Sequence, residues 1–114
     1  AILVTGAHWQ AGFEWHVHAP IALAAGLDPV AVEKIRVGAE PEFANDAEKA
    51  VYGFSRELLT KRHVSDATYA YADKILGSRA LVDLVGVLGY YGLISMTINA
   101  FDVPLPPGAK EPFA

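Results

Sequence analysis

A mostly apolar run from Leu81 to Ile98 is the sequence feature that most constrains how this chain can fold. It holds 18 residues with only one charged side chain, close to the ~20 residues of a membrane-spanning helix. Arg79 and Asp102 bracket it closely, which favours a helix at the centre of a bundle or an oligomer. We therefore expect no membrane span, and a long apolar helix over about residues 79–101.

Glycine, proline and capping residues divide the rest of the chain into shorter helices. Residues 1–10 are mixed in pattern, and their β-branched start leaves a strand open. Helices are predicted over residues 13–25, 30–37, 46–62, 66–76 and 79–101. Because no partner strand exists for the opening segment, we predict an all-α fold of five or six helices. One domain is expected to cover residues 1–114.

Local signals predict where these helices begin and bend. Pro20 lies inside the first predicted helix and indicates a kink or a break there. Asp28, Ser65 and Ser78 each precede a predicted helix as an N-cap, and either Asn45 or Asp46 caps another. Three glycines in the long helix, spaced by three residues, predict close approach of another helix, from this chain or a second subunit; these are Gly86, Gly89 and Gly92.

Composition excludes several classes of function. Nine Lys and Arg against 13 Asp and Glu give a formal charge of −4, which argues against a general nucleic-acid binder. The absence of cysteine excludes thiolate and disulfide chemistry. No secretory signal is apparent, so a cytoplasmic location is expected. The chain opens on Ala1 without a methionine, in a pattern typical of the middle of a helix, so we expect a preceding segment.

The candidate site lies between residues 8 and 18. Glu14 and His18 are four residues apart, so on a helix they share a face and can form a general acid/base pair. His16 points to the other side, and His8 reaches the pair only if the chain folds back. A metal site is therefore not favoured, and no cofactor is predicted. The same spacing is equally typical of a simple surface ion pair.

Aromatic residues surround this pair in the sequence. Trp9 and Trp15, the only tryptophans, flank it and are predicted to form walls of a pocket. Tyr90 is a further candidate for binding, although a core tyrosine is the more usual outcome. No Gly-rich phosphate loop follows a strand, so nucleotide cofactors have no support.

The chain resembles the carboxymuconolactone decarboxylase family, which is related to the alkylhydroperoxidase D-like proteins. Four stretches distributed between residues 13 and 91 carry the resemblance: residues 13–27, FEWHVHAPIALAAGL; residues 51–59, VYGFSRELL; residues 64–69, VSDATY; and residues 89–91, GYY. The resemblance implies an alkylhydroperoxidase D-like helical bundle that assembles as a homotrimer or homohexamer. In the peroxidase branch, two cysteines stand where this chain has Ala11 and Glu14, while the histidine remains as His18. Peroxidase activity is therefore excluded.

The decarboxylase branch removes CO2 from γ-carboxymuconolactone without a metal or organic cofactor. The resemblance thus implies a lyase of aromatic catabolism acting on a small carboxylated lactone. Glu14 and His18 would transfer the proton. His8, the third catalytic candidate, and His16 would bind the substrate carboxylate or stabilise the oxyanion. The alternative is a non-catalytic helical oligomer, or a member that only binds a small molecule. A Glu14 that is buried in a pocket would favour the enzyme.

Overall fold

The computed structural model describes all of residues 1–114 and contains six helices and no strand. The helices are α1 (Ile2–Trp9), α2 (Gly12–Ala24), α3 (Pro29–Val37), α4 (Asp46–Lys61), α5 (Asp66–Leu76) and α6 (Ser78–Ala100). The all-α prediction is confirmed, and so is the long apolar C-terminal helix. The opening segment, for which a strand was left open, is a helix.

Helix α1 lies at the centre of the molecule and packs against α2, α3, α4 and α6. Four successive residues, from Leu3 to Gly6, are buried, so this helix is covered on every side. A helix buried all round shows no amphipathic period, and this explains why the sequence pattern of the segment was ambiguous.

Two apolar clusters form the core, one on each side of α4. The first joins α1, α2, α3 and α4 through Leu3, Val4, Trp15, Ala19, Val32, Ile35 and Tyr52. The second joins α4, α5 and α6 through Phe54, Ala72, Leu81, Leu84 and Leu88. The short α1 and the long α6 are thereby tied to the same scaffold, which brings residues near the two ends of the chain together.

Most of the predicted helix ends are confirmed. The side chains of Asp28, Asn45 and Ser65 each accept a main-chain N–H in the first turn of the helix that follows. The prediction for Ser78 is wrong, because Gly77 is the N-cap of α6 and no side chain caps that end. Gly77 has a φ of 83°, so the chain turns there in the left-handed region and Ser78 is already helical.

Of the kink or break predicted at Pro20, the break does not occur, since α2 runs as one helix from Gly12 to Ala24. Proline removes one N–H donor from a helix interior. Pro20 itself is exposed, while Trp15 and Ala19 on the same helix are buried in the first cluster. Packing of this inner side keeps the helix continuous through the proline.

Helix α6 has one buried face and one exposed face. Leu81, Leu84, Leu88, Gly92, Ser95 and Ile98 are buried. On the outer face, positions Gly86 and Gly89 have no atom of this chain near enough to contact an added Cβ, so the predicted close helix approach does not occur there within the chain. At Gly92 the nearest group is the Trp9 indole, not a helix backbone. By length and composition alone α6 could cross a membrane, and a third of its most apolar stretch is buried inside the protein.

Candidate functional site

Glu14 lies in the first turn of α2 and is 2% exposed. Its stem lies against Gly6 of α1, where an added Cβ would be 3.6 Å from the Glu14 Cγ. The Ser95 hydroxyl of α6 donates a hydrogen bond to Glu14 Oε2, while Oε1 has no partner. Three helices therefore enclose a carboxyl group of which one oxygen is unsatisfied.

Burial raises the pKa of Glu14, because removal from water disfavours the charged form. The hydrogen bond from Ser95 and the charge of His18 act in the opposite direction and only partly offset the burial. A buried carboxyl with a perturbed pKa and an unsatisfied oxygen is unusual for a purely structural residue. Its position marks this part of the fold as a functional candidate.

His18 lies one turn further along α2, but its imidazole does not bond to the Glu14 carboxylate. Its Nδ1 is 3.0 Å from the main-chain carbonyl oxygen of Glu14, and its ring packs edge-on against Tyr91 at 5.2 Å between centroids. The predicted side-chain pair is thus corrected: the carboxylate turns inward to Ser95. With Nδ1–H donating to the main chain, Nε2 is the ring nitrogen left to exchange a proton.

A cavity of about 500 Å³ opens beside His18. Residues of α1, α2 and α4 line it together with Val87 of α6, and 14 of its 16 lining residues are hydrophobic. The two lining residues that are not hydrophobic are His18 and Glu48, and Tyr52 adds a hydroxyl group to the wall. Glu14 does not line this cavity. His18 therefore stands between the buried carboxyl and the open space.

The other predicted histidines do not join this cavity. His8 is exposed at the end of α1, and its ring packs edge-on against Trp9. Partial burial and then the nearby charge of Arg56 lower the pKa of His8. His16 lies on the opposite side of α2, in a polar cleft with Arg36. The sequence placed His16 away from His18 correctly, whereas His8 does not fold back to the pair.

Neither tryptophan forms a wall of the His18 cavity. Trp15 is buried in the first cluster, where the ring of Phe113 from the C-terminal tail covers it edge-on at 5.5 Å. The Trp9 main-chain carbonyl accepts a hydrogen bond from the Asn99 side chain, which ties α1 to α6. Both predicted pocket walls are thus corrected to packing roles: Trp15, although only three residues before His18 on α2, packs into the first cluster, and Trp9 lies at the end of α1.

Tyr90 is 58% exposed and does not line the cavity, so its predicted place in the site is corrected as well. Its neighbour Tyr91 contacts His18 instead. Sequence reasoning also missed Ser95 and Glu48. A signal existed for Ser95, since it is a polar residue on the apolar face that carries Leu88 one heptad earlier. No local signal existed for Glu48, which reads as an ordinary acidic residue in a first helical turn.

No three His, Asp or Glu side chains are grouped so that they could hold a metal ion. Comparison with family models, with curated proteins and with solved structures finds no match to this chain. The family resemblance drawn from the sequence motifs therefore stays a prediction, and the functional interpretation rests on the geometry around His18.

Proposed function

We propose that this chain is a cofactor-free lyase of the decarboxylase type, a cysteine-less member of the carboxymuconolactone decarboxylase family. Its substrate is a small carboxylated lactone or a related intermediate of aromatic catabolism. The observation that carries the proposal is the position of His18, a base with one nitrogen fixed by the main chain, on the wall of an otherwise apolar cavity of about 500 Å³. Small-molecule sites typically occupy roughly 300–1,000 Å³.

Decarboxylation of the lactone needs one proton for the product, and it needs a site in which a carboxylate can leave as neutral CO2. When the bond between the lactone ring and its carboxylate breaks, CO2 leaves and the electron pair passes into the conjugated lactone as a dienolate. One proton added to carbon completes the product. His18 is the donor in this scheme: Nε2 delivers the proton and regains it from solvent, while Nδ1–H stays bonded to the Glu14 carbonyl.

The apolar wall supports the first step, because a carboxylate in poorly solvating surroundings is destabilised relative to neutral CO2. Glu14 acts through His18, since their charges interact although their side chains are not hydrogen-bonded to each other. Glu14 is therefore a positioning residue in this proposal, and Ser95 holds its carboxylate.

We also propose that the protein works in the cytoplasm as a homotrimer or homohexamer. The outer face of α6 supports assembly, because Val82, Leu93 and Met96 are exposed there at 72%, 56% and 47%. These residues and the two outward glycines recur at alternating four- and three-residue spacing, the pattern of a helix that packs on another helix. An apolar stripe of this length is unusual on a solitary soluble chain.

Turnover of γ-carboxymuconolactone by the native protein, beside His18→Asn and Glu14→Gln, tests the enzyme proposal. Asparagine keeps a polar group of similar size but cannot carry the proton, so we expect kcat to fall by about 100-fold or more. Glu14→Gln should reduce kcat less, because it removes only the charge behind His18. The matched control is His63→Asn, at an exposed histidine outside the cavity. Unchanged kcat in His18→Asn, or no turnover by the folded native protein, would contradict the proposal.

A second candidate is a protein that binds a small apolar molecule without reaction. The hydrophobic character of the cavity wall favours it, since only two of its 16 lining residues are not hydrophobic. This candidate predicts that an uncharged ligand such as cyclohexanol binds equally well to the native protein and to His18→Asn, with no lactone turnover by either.

A further inference from the structure

The charges on the wall of the His18 cavity are unbalanced toward the negative. No lysine or arginine side chain lines it, and His18 is the only side chain there that can become positive. The Ala1 amine also lies on the wall, and burial lowers its pKa to about 6, so it is mostly uncharged at neutral pH. Glu48 of α4 also lies on the wall and is half-buried. Its main-chain N–H bonds to the Asn45 cap, but its carboxylate takes part in none of the ion pairs or side-chain hydrogen bonds of the structure.

The remaining polar side chain of the wall, Tyr52, already has a hydrogen-bond partner. The Tyr52 hydroxyl donates a weak hydrogen bond to Glu40, with 3.4 Å between the oxygens. At neutral pH the His18 ring is therefore the best partner on this wall for a ligand carboxylate. A second carboxylate would meet apolar side chains or the like charge of Glu48, and both are unfavourable for an unpaired anion.

We propose that the cavity selects an amphipathic monoanion, with an apolar body that fills the space and a single carboxylate against His18, and that Glu48 determines this specificity by repelling a second anionic group. The inference rests on the proposed function in one respect, that the substrate binds in this cavity beside His18. It goes beyond that function in excluding dicarboxylates as the preferred substrates. γ-Carboxymuconolactone, which carries a second carboxylate on its side arm, is then a poor substrate that turns over with a high KM.

A pair of lactones tests the specificity directly. The first is γ-carboxymuconolactone, and the second is the same lactone with a methyl group in place of the acetate side arm. The methyl compound keeps the carboxylate that leaves as CO2 and lacks the second charge. We expect its kcat/KM to be at least about tenfold higher, because the second charge finds no partner in the cavity.

Glu48→Gln identifies the group responsible. It keeps the size of the side chain and removes the charge, so KM for γ-carboxymuconolactone should fall by about three- to tenfold relative to KM for the methyl lactone. Glu42→Gln, at an exposed glutamate that does not line the cavity, is the matched control for a general change in net charge. An equal effect of the two variants would overturn the role of Glu48.

Binding of benzoate and isophthalate, measured by calorimetry, separates this inference from the proposed reaction. Both have the same ring, and isophthalate adds one carboxylate. We expect benzoate to bind at least about tenfold more tightly than isophthalate to the native protein, and the gap to narrow in Glu48→Gln. If neither lactone reacts and this gap is found, the proposed function fails and the specificity stands. Isophthalate binding as tightly as benzoate, or no benzoate binding at millimolar concentration, overturns the inference.

Discussion

Glu14 is a carboxyl group that the fold removes from water and supplies with a single hydrogen bond. Ser95, itself fully buried, is the donor, and the second oxygen of Glu14 has no partner. An interior polar pair of this kind is costly when half of it is removed, because the remaining group stays desolvated. The fold keeps this costly pair of Glu14 and Ser95, which is consistent with a role for Glu14 next to His18.

Replacement of Ser95 with alanine should therefore destabilise the protein by about 1–3 kcal/mol, since both Glu14 oxygens would then be buried without a partner. The measurement is urea denaturation at neutral pH. Thr97→Ala is the matched control two residues away, where the exposed hydroxyl only bonds to the Leu93 carbonyl of its own helix. The control should change the free energy of unfolding by no more than about 0.5 kcal/mol. Equal effects of the two substitutions would contradict this account of Ser95.

The raised pKa of Glu14 predicts a pH dependence of stability with a definite sign. Above the ordinary pKa of 4.5 the unfolded chain loses this proton while the folded protein still holds it, so the unfolded state binds fewer protons. The contribution of Glu14 to the free energy of unfolding is then largest below the unfolded pKa. It declines as pH rises through the folded pKa.

Glu14→Gln removes this titration, so the variant should gain stability relative to the native protein as pH rises above 4.5. Urea denaturation of both proteins across that range measures the difference. A difference that stays constant with pH would show that the Glu14 pKa is not raised in the folded state.

Among the helices, α5 and α6 differ in how their N-terminal ends are capped. The Ser65 hydroxyl accepts the Thr68 N–H at 3.3 Å and also contacts the Thr68 hydroxyl. The Ser78 hydroxyl instead donates to the half-buried Asp73 side chain and leaves the start of α6 uncapped. The two serines look alike in the sequence, but only one satisfies a free donor of its helix.

Ser65→Ala should therefore cost about 1 kcal/mol of stability, whereas Ser78→Ala should cost no more than about 0.5 kcal/mol. Thermal and urea denaturation of the two variants side by side give the comparison. Similar losses in both would mean that Ser78 caps α6 after all.

For the whole molecule, the important feature is the exposed apolar outer face of α6. Its apolar residues have no partner within the chain, although the opposite face of the same helix is part of the core. If this face joins copies of the chain, the mass in solution should be three or six times the 12.2 kDa of one chain. Exposed apolar area of this kind is otherwise a liability for solubility.

Leu93→Glu should dissociate the assembly, because each copy would bury a charge in an apolar contact. Sedimentation of the native protein and the variant gives both masses. Val30→Glu is the control, since Val30 is 61% exposed on α3, away from this face. A native protein that sediments as a monomer, or a Leu93→Glu variant of unchanged mass, would contradict assembly through α6.

The fold was largely predictable because its signals are local. Asp28 before Pro29, Ser65 and the glycines at helix ends each act within a few residues, so their effects can be read directly from the chain. The candidate site was predictable only in part. Helical spacing put His16 and His18 on different sides of α2, but it could not show that the Glu14 carboxylate turns away from His18 to a residue 81 positions later.

The sequence by itself determined an all-α chain, the ends of most helices and the long apolar α6, because hydrogen bonding and capping within a helix depend on neighbours in the chain. Only the tertiary structure decided which residues meet. It joined Ser95 to Glu14, set His18 and Glu48 on one cavity wall, and turned Trp15 into the core. These contacts depend on how the six helices pack together, and that packing arises from burial summed over the whole chain, which no local pattern contains.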